Sequence, residues 1–219
     1  MTQYFENKPT SKSSPKETIA TIQGKTIKLT TDNGVFSKKG LDFGTRTLLE
    51  NLPLEKINGK VLDFGCGYGP IGIFIAKETN SQVDMIDINE RSLKLAKKNA
   101  EQNKVKVNIF ESNIYSNVKE KYDYIITNPP IRVGNKILYE ILYGAKKHLT
   151  KYGELWCVIN KDQGAKTIAK NLEKEYLVEI VDKNKGFFII KARNRWLFAH
   201  LLIKFYIGGI YFFAGYMHL

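Results

Sequence analysis

Short apolar runs and longer amphipathic runs alternate along the chain from Lys60 onward. The short runs, such as "KVLDFG", "QVDMID" and "YDYIIT", predict strands, and the longer runs, such as "PIGIFIAKET" and "ERSLKLAKKNAEQN", predict helices. This alternation is typical of a parallel sheet that is covered by helices on both faces. Ligands of such sheets bind beyond the carboxyl ends of the strands, so the loops that follow the strands are where we expect chemistry.

The chain divides into three unequal parts. Residues 1–16 are rich in Lys, Ser and Pro and predict a flexible arm, whereas residues 193–219 form a mostly apolar tail. Residues 17–192 predict one globular domain, because a chain of 219 residues that is 43% hydrophobic suits a single sizeable core. This domain opens with a predicted hairpin over 17–32 and closes with a second hairpin around Asn184.

The formal charge of +12 indicates a polyanionic partner, either nucleic acid or an anionic membrane surface. A lysine-rich set of solvated helix faces is the alternative interpretation. Cys66 and Cys157 lie far apart and follow no metal-ligand spacing, so we predict no metal site and a reducing, cytoplasmic compartment. Residues 1–18 are polar and hold no apolar core, so a cleavable signal peptide is not expected.

A glycine-rich loop, "VLDFGCGYGPIG" over 61–72, follows a predicted strand and opens a helix. Gly65, Gly67 and Gly69 allow the turn and let a ligand lie against the backbone. Part of the loop also matches the G-x-G-x-x-G dinucleotide fingerprint, which would indicate a nicotinamide oxidoreductase. Asp63 argues against that interpretation, because its carboxylate would repel a pyrophosphate. It suits a ligand that carries an ammonium and a sulfonium.

Polar residues also follow the next two predicted strands. Asp87 ends "VDMID", where a carboxylate can accept both hydroxyls of a ribose or, alternatively, cap the next helix. Asn113 follows the third strand, where it can bind an adenine amino group or simply occupy a turn. Together with the glycine loop, these spacings predict an S-adenosylmethionine site. The predicted cofactor contacts are Asp63, Gly65, Cys66, Gly67, Gly69, Asp87, Ile88, Asn113, Ile114 and Asn128.

The stretch "YIITNPPIRVG" places two prolines directly after a strand that we expect to end at about Asn128. Prolines lack a backbone donor and have a fixed φ, so they make a stiff step. An exocyclic amino group is a poor nucleophile because its lone pair is delocalised into the ring. Bonds from its two hydrogens to the Asn128 side-chain oxygen and the Pro129 carbonyl would aim that lone pair at a methyl group on sulfur. We therefore predict Asn128, Pro129 and Pro130 as the catalytic residues. The alternative is a plain strand-terminating turn.

With these motifs the chain resembles the class I S-adenosylmethionine-dependent methyltransferases. More narrowly, it resembles small, single-domain relatives of the bacterial 16S ribosomal RNA guanine-N2 methyltransferase (RsmC-like) family, over about residues 2–192. The marks are "YFENKPTSKS", "TTDNGVFSKKGLDFGTRTLLE", "LDFGCGYGPIG", "NPPIRVG", "GELWCVINKDQGA" and "DKNKGFFII". The resemblance implies a Rossmann-like, doubly wound α/β domain with a seven-stranded mixed sheet and an N-terminal β-hairpin extension. It also implies S-adenosyl-L-methionine as the cofactor.

The segment from Asp32 to Leu49 narrows the family most, because generic methyltransferases lack it. The resemblance implies that this segment contributes to the cofactor and substrate pocket, and Asp42 is also placed to cap the helix that "DFGTRTLLENL" predicts. Two positions depart from the family pattern. Asn113 stands where the family usually has Asp, and Ile131 stands where many amino-methylating enzymes have an aromatic residue. The implied pocket residues are Phe36, Ser37, Asp42, Gly44 and Thr45.

The Asn-Pro-Pro motif does not identify the amine, since it serves adenine N6, guanine N2 and glutamine amide nitrogen alike. The charge favours nucleic acid, and the resemblance implies the N2 of a guanine in small-subunit ribosomal RNA, either as naked RNA or in the small ribosomal subunit. The alternatives are adenine N6, a protein glutamine amide, or an RNA-binding module without catalysis. The predicted contacts to substrate or its phosphates are Phe36, Ser37, Lys38, Lys39, Ile131, Arg132, Lys161 and Lys166.

The tail sequence "WLFAHLLIKFYIGGIYFFAGYMHL", over 196–219, is long enough to span a bilayer, although His200 and Lys204 weaken that interpretation. Three alternatives stay open: a frame-shifted or read-through end, a membrane anchor or interfacial helix, and a helix packed on the domain or in a dimer. We expect a cytoplasmic protein, with membrane association through the tail as the alternative. Larger relatives carry two such domains in one chain, so a homodimer is a further prediction by analogy.

Overall fold

The computed structural model of the protein describes residues 12–37, 40–130 and 134–194. Lys38, Lys39, Ile131 and Arg132, most of the predicted arm and nearly all of the apolar tail lie outside these residues. The elements are β1 (Lys16–Ile22), β2 (Lys25–Thr31), α1 (Phe43–Glu50), β3 (Lys60–Phe64), α2 (Pro70–Glu78), β4 (Gln82–Asp87), α3 (Glu90–Gln102), β5 (Asn108–Glu111), β6 (Tyr122–Thr127), α4 (Gly134–His148), β7 (Leu149–Asn160), a 3-10 turn (Lys161–Gln163), α5 (Ala165–Leu172), β8 (Tyr176–Asn184) and β9 (Phe187–Asn194).

Seven strands form one mixed sheet in the order β5-β4-β3-β6-β7-β9-β8, and β1 and β2 form a separate antiparallel hairpin. All neighbours in the large sheet are parallel except β9, which runs antiparallel to both β7 and β8. The predicted fold class is therefore confirmed. Because β3 lies between β4 and β6, the loops that follow these three strands meet at one edge of the sheet.

Each face of the large sheet is covered by its own apolar core. Strand residues alternate between the faces, so Val61 and Met85 pack on one side, and Leu62 and Ile86 on the other. The first core also takes in buried residues of the β1–β2 hairpin and of helices α1, α2 and α3. The second core takes in residues of α4 and α5. Helices on both faces leave the edge at the carboxyl ends of the strands as the open side.

The N-terminal hairpin is joined to α3 by side-chain amides. Asn99 is fully buried, and its Oδ1 accepts from Thr30 N at 2.6 Å while its Nδ2 donates to Thr30 O at 2.9 Å. Asn103 makes the same pair of bonds to the backbone of Lys28, at 3.0 and 2.6 Å. These bonds satisfy one edge of β2 and fix the hairpin against the domain.

The last residues of the predicted arm are held by Asp32, which follows β2. Its carboxylate accepts from the Ser13 hydroxyl at 2.6 Å and from Ser14 N at 2.5 Å. Burial, the largest single influence, raises the pKa of Asp32. These donors and the Asn33 backbone N–H together outweigh it, so the pKa is lowered.

Among the described helices, none combines the length and apolar character that crossing a membrane requires.

Candidate active site

A cavity of about 700 Å³ opens at the carboxyl edge of the sheet. It is lined by the loops that follow β3, β4, β5 and β6, by Phe36, Ser37, Asp42 and Thr45, and by Ile137 and Ile141 of α4. Most of the exposed lining is apolar, with a few polar groups converging on it, and the volume is typical of a small-molecule site.

The glycines of the loop after β3 have two separate roles. Gly65 and Gly67 line the cavity with φ of +68° and +55°, and a Cβ on either would meet no atom within 4 Å. They therefore present bare backbone to the cavity. A Cβ on Gly69 or Gly72 would instead lie 2.8 or 2.7 Å from Met85 atoms, so these two glycines let α2 pack closely on β4. Gly69, a predicted cofactor contact, is not among the residues that line the cavity.

Asp87 joins the glycine loop to the loop after β4. Its Oδ2 accepts from Gly67 N and its Oδ1 from Asn89 N, both at 2.8 Å. Burial raises the pKa of Asp87, and the backbone N–H donors oppose that rise. The alternative that Asp87 caps α3 is wrong, because Asn89 is the cap and accepts from Ser92 N at 3.1 Å. Each carboxylate oxygen keeps acceptor capacity toward the cavity, which Asp87 lines.

Asp63 lies behind the glycine loop and is fully buried. Its Oδ2 accepts from Gly72 N at 2.8 Å, and its Oδ1 has no hydrogen-bond partner among the described residues. Burial raises the pKa of this carboxyl to about 7, which the Gly72 N–H opposes and the nearby Asp87 charge reinforces. Asp63 is not among the residues that line the cavity, so its connection to the site runs through the glycine loop and the Gly72 N–H.

The loop after β5 contributes Ser112, Asn113 and Ile114 to the cavity wall. Ser112 N donates to Asp87 O at 3.0 Å, and the Ser112 hydroxyl donates to Ile114 O at 2.9 Å. Ile114 has a φ of +52°, a left-handed conformation that a β-branched residue adopts only under strain. Such strain is typical of functional sites, where the surrounding bonds hold it in place.

Asn128 follows β6 directly and lines the cavity beside Pro129 and Pro130. Its Nδ2 donates to Thr45 Oγ1 at 2.8 Å and to Asp42 Oδ1 at 3.2 Å. A carboxylate can only accept, so the amide nitrogen must face Asp42. The Asn128 side-chain oxygen consequently faces away from Asp42 and Thr45. The stiff Asn-Pro-Pro segment predicted from the sequence therefore carries a hydrogen-bond acceptor, the Asn128 side-chain oxygen. Its direction is set by the two residues at the start of α1 that bond the amide nitrogen.

Asp42 has a second role in this arrangement. The predicted cap of α1 is confirmed, since Asp42 Oδ1 also accepts from Thr45 N at 3.0 Å. One carboxylate oxygen therefore fixes both the start of the helix and the amide of Asn128. The resemblance pointed to Asp42 and Thr45 as pocket residues, but their bonds to Asn128 had no signal in the sequence, because the partners are 86 and 83 positions apart.

The segment before α1 is tied down around the cavity. Gly40 O accepts from the Tyr68 hydroxyl at 3.0 Å and also from the Ser37 hydroxyl. Asn89 Nδ2 donates to Gly34 O at 3.2 Å. The segment is therefore bound both to the glycine loop and to the loop after β4. Tyr68, a buried wall residue, was not predicted as a site residue.

The structure thus gathers most of the predicted cofactor residues and the three predicted catalytic residues around one cavity. Burial raises the pKa of the Cys66 thiol, so Cys66 contributes a protonated, apolar surface to the wall. Lys161 and Lys166 lie outside the cavity, on the 3-10 turn and on α5. In the described part of the chain, His, Cys, Asp and Glu side chains form no group of three or more that could hold a metal. The predicted residues that line the cavity are Phe36, Ser37, Asp42, Thr45, Gly65, Cys66, Gly67, Asp87, Ile88, Asn113, Ile114, Asn128, Pro129 and Pro130.

Comparison with known proteins identifies the family. The model of the methyltransferase small domain family matches residues 26–191. This chain belongs to the methyltransferase small domain family. An uncharacterised Bacillus subtilis protein, YbxB, is 42% identical over 196 residues, which cover 87% of this chain and 98% of that protein. The predicted class, a methyltransferase that uses S-adenosylmethionine, is confirmed at the level of the family.

Two longer proteins are also similar to this chain. The ribosomal RNA small subunit methyltransferase C of Colwellia psychrerythraea is 35% identical over 79% of this chain and 49% of its own length. The structure of RsmC from T. thermophilus, a 16S rRNA N2 methyltransferase in complex with AdoMet and guanosine, superposes with a TM-score of 0.75 and 24% identity. That comparison covers 83% of this chain and 51% of RsmC. The chain therefore spans about half the length of these two relatives and shares the fold of RsmC.

Proposed function

We propose that this chain transfers a methyl group from S-adenosylmethionine to the N2 amine of a guanine in small-subunit ribosomal RNA. The observation that carries the proposal is the direction of the Asn128 amide. Its nitrogen is bonded to Asp42 and Thr45, so its oxygen is left as an acceptor at the wall of the cavity. A rigid acceptor beside a nucleoside-sized cavity is what the activation of an exocyclic amine requires.

The residues of the cavity fit S-adenosylmethionine. The bare backbone at Gly65 and Gly67 leaves room for the amino-acid part, and the Asp87 carboxylate offers acceptors for the ribose hydroxyls. Asn113 and Ile114 would hold the adenine, with the apolar wall around it. The buried Asp63 carboxyl lies behind the loop with an Oδ1 that has no partner among the described residues, and a cationic ligand in front of the loop would favour its ionised form.

The acceptor amine would be held by Asn128 Oδ1 and the carbonyl of Pro129. When bound, S-adenosylmethionine supplies a methyl group on a sulfonium, which is already a strong leaving group. The task of the protein is therefore to position the amine and to stabilise the positive charge that develops on its nitrogen. Positioning of this kind contributes about 7–11 kcal/mol in favourable cases, and aimed acceptors strengthen as the charge forms. No strong general base is needed, because the ammonium product loses its proton readily.

Three findings support guanine in ribosomal RNA as the substrate. The longer relatives are named as small-subunit ribosomal RNA methyltransferases, the superposed RsmC structure holds guanosine, and the charge of this chain is +12. A polyanionic substrate matches that charge. The cytoplasm, where ribosomal subunits are assembled, is the proposed location. The homodimer and the membrane contact of the tail stay predictions.

The test uses small subunits and naked ribosomal RNA from cells that lack the gene. Each is incubated with the purified chain and isotope-labelled S-adenosylmethionine, and the RNA is then digested to nucleosides for mass spectrometry. We expect labelled N2-methylguanosine, and we expect Asn128→Ala to lower the rate about a hundredfold. Asn108→Ala is the matched control, because Asn108 bonds Asp84 in the strands away from the cavity.

Other outcomes would contradict specific parts of the proposal. Labelled N6-methyladenosine, or label in a protein glutamine, would replace the substrate while keeping the enzyme class. Cofactor binding without transfer to either RNA preparation would favour an RNA-binding module without catalysis. A wild-type rate in Asn128→Ala would mean that the Asn-Pro-Pro segment is only a strand-terminating turn.

A further inference from the structure

An aromatic pair lies next to the group that holds Asn128. The rings of Phe43 on α1 and Phe187 on β9 have centroids 5.6 Å apart at an interplanar angle of 49°, and both residues are half-buried. The position of a Cβ on Gly44 would be 2.9 Å from the Phe187 ring and 3.2 Å from Asp42 Oδ1. The same Asp42 oxygen bonds the amide of Asn128. The aromatic pair therefore lies close to the Asp42 carboxylate, which in turn bonds Asn128.

The strand directions place this pair on the edge of the sheet where the cavity opens. β9 is antiparallel to β7, so Phe187 at its start is paired with Asn160 at the carboxyl end of β7. The two turns are also bonded directly, since Lys161 N donates to Gly186 O at 2.6 Å. Asn128, Asn160 and Phe187 therefore follow one another along adjacent strands of the carboxyl edge.

Two lysines flank the aromatic pair. The ammonium of Lys185 lies 5.1 Å from the centroid of the Phe43 ring, which fixes a cation at this edge. The aliphatic stem of Lys161 lies against Gly186, 3.2 Å from the position of a Cβ there. Among the described residues, neither lysine forms a salt bridge. Lys185 also has a φ of +45°, a conformation that Asn and Gly adopt with less strain.

We infer that Phe43, Phe187, Lys161 and Lys185 bind an unpaired nucleotide next to the target base. This stacking platform rests on the proposed function, because it gives the RNA strand a second anchor beside Asn128. The half-buried rings offer aromatic surface for a neighbouring base, with the Lys185 ammonium moving from the Phe43 ring to a flanking phosphate and Lys161 available to a second phosphate. Single-stranded RNA is recognised by this combination of aromatic faces and cations. An apolar protein surface would match the rings but would leave two cations unpaired.

The test compares the platform with a similar pair at the opposite edge of the sheet. Tyr152 is 67% exposed near the start of β7, with the Lys151 ammonium 5.2 Å from its ring centroid. Binding of a fluorescein-labelled, 12-nucleotide single-stranded RNA of mixed sequence is followed by anisotropy at several salt concentrations. The variants are Phe43→Leu, Phe187→Leu and Lys185→Gln, and the matched controls are Tyr152→Leu and Lys151→Gln.

We expect Phe43→Leu and Phe187→Leu each to weaken RNA binding about tenfold, the effect of one lost stacked base, while Tyr152→Leu binds as the wild type does. Lys185→Gln should flatten the log–log salt slope by about 0.7, and Lys151→Gln should leave it unchanged. Lys185 is exposed, so its variant reports on binding even if a Phe variant folds poorly.

Several results would overturn the platform. One is unchanged RNA affinity in both Leu variants together with an unchanged salt slope in Lys185→Gln. Another is a loss of RNA affinity in the control variants that equals the loss in the platform variants. A third is weaker binding to the small subunit without weaker binding to RNA, which would indicate a protein contact. Cofactor affinity, measured by calorimetry, should stay at the wild-type value in every variant, and a fall would mean that the rings only support the cavity. Failure of the proposed function has a different signature, because the wild type itself would then transfer no methyl group to RNA.

Discussion

Replacing Thr45 with Val is the sharpest test of how Asn128 is aimed. Thr45 is buried, and its hydroxyl oxygen makes the shorter of the two bonds to Asn128 Nδ2, 2.8 Å against 3.2 Å for Asp42. Valine keeps nearly the same shape and removes only the acceptor. The amide would then be held by the longer bond alone, to an oxygen that also caps α1. The Asn128 oxygen should consequently lose part of its fixed direction.

The expected magnitude follows from the loss of this one bond. A neutral hydrogen bond contributes about 0.5–1.5 kcal/mol net, and a buried donor left unpaired costs about 1–3 kcal/mol. Since the Asp42 bond remains, we take about 1–2 kcal/mol as the loss of positioning. Each 1.36 kcal/mol changes a rate tenfold, so turnover should fall by about 5- to 30-fold. This is less than the roughly hundredfold loss expected when the acceptor itself is removed in Asn128→Ala.

Single-turnover methyl transfer, measured in a double-mutant cycle, separates an effect on the orientation of the Asn128 amide from an effect on the stability of the fold. If Thr45 acts through Asn128, Thr45→Val should have no further effect once Asn128 is Ala. Thr47→Val is the matched control, because Thr47 is also buried on α1 but its hydroxyl donates to Phe43 O at 2.8 Å. A wild-type rate in Thr45→Val, an effect additive with Asn128→Ala, or an equal loss of turnover in Thr47→Val would each refute this role of Thr45.

Three further predictions concern the carboxylates of the site. Asp87→Ala should weaken S-adenosylmethionine binding by about 1–3 kcal/mol in calorimetry, and an unchanged affinity would limit Asp87 to its bonds within the loops. Asn128→Asp should be as inactive as Asn128→Ala because it sets a carboxylate against Asp42, and the exchange Asp42→Asn with Asn128→Asp should restore part of the rate. Asp63 has a pKa of about 7 in the folded protein against 3.8 for an ordinary Asp, so the folded state binds the proton more tightly. Its contribution to stability is therefore fully present below pH 4 and is lost as pH rises to 7, by up to about 1.4 kcal/mol per pH unit. In urea unfolding, the free energy of unfolding of Asp63→Asn should change less with pH in that range than that of the wild type. Parallel pH dependences of the two proteins would contradict the raised pKa of Asp63.

The layout of the fold could be predicted from the sequence because it rests on local patterns. The alternation of apolar and amphipathic runs, the closing hairpin and the cap at Asp42 were all predicted and confirmed. Only the alternative role of Asp87, as the cap of α3, was wrong, and the reason is local. Asp87 is still the last residue of β4, and the residue with the side chain that reaches the first turn of α3 is Asn89, two positions later.

The roles of individual site residues were harder to predict, since different roles call for the same residue type. Gly67 lies against the cavity and Gly69 lies against Met85, yet both need a glycine. Asp63 was predicted as a cofactor contact from its charge. Side chains alternate along a strand, and the alternation turns Asp63 to the face that α2 covers, where it bonds Gly72.

The aromatic ring that many amino-methylating enzymes carry after Asn-Pro-Pro is absent at Ile131 in this sequence. In the proposed function, stacking on RNA would come from aromatic residues elsewhere in the chain. Phe187 stands on the same edge of the sheet and packs against Phe43, whose neighbour Asp42 holds Asn128. The stacking platform would supply the missing π surface from β9 and α1.

The segment between β2 and β3 would make a widely used cofactor fold selective for an amine. The glycine loop and Asp87 would bind the same cofactor whatever the acceptor. The segment adds Asp42 and Thr45, which direct the Asn128 amide, and Phe43, which forms half of the stacking platform. These three residues lie within four positions at the start of α1, so one short helix would both aim the acceptor group and hold the neighbouring nucleotide. Acceptor choice in this chain should therefore change more readily through α1 than through the cofactor loops.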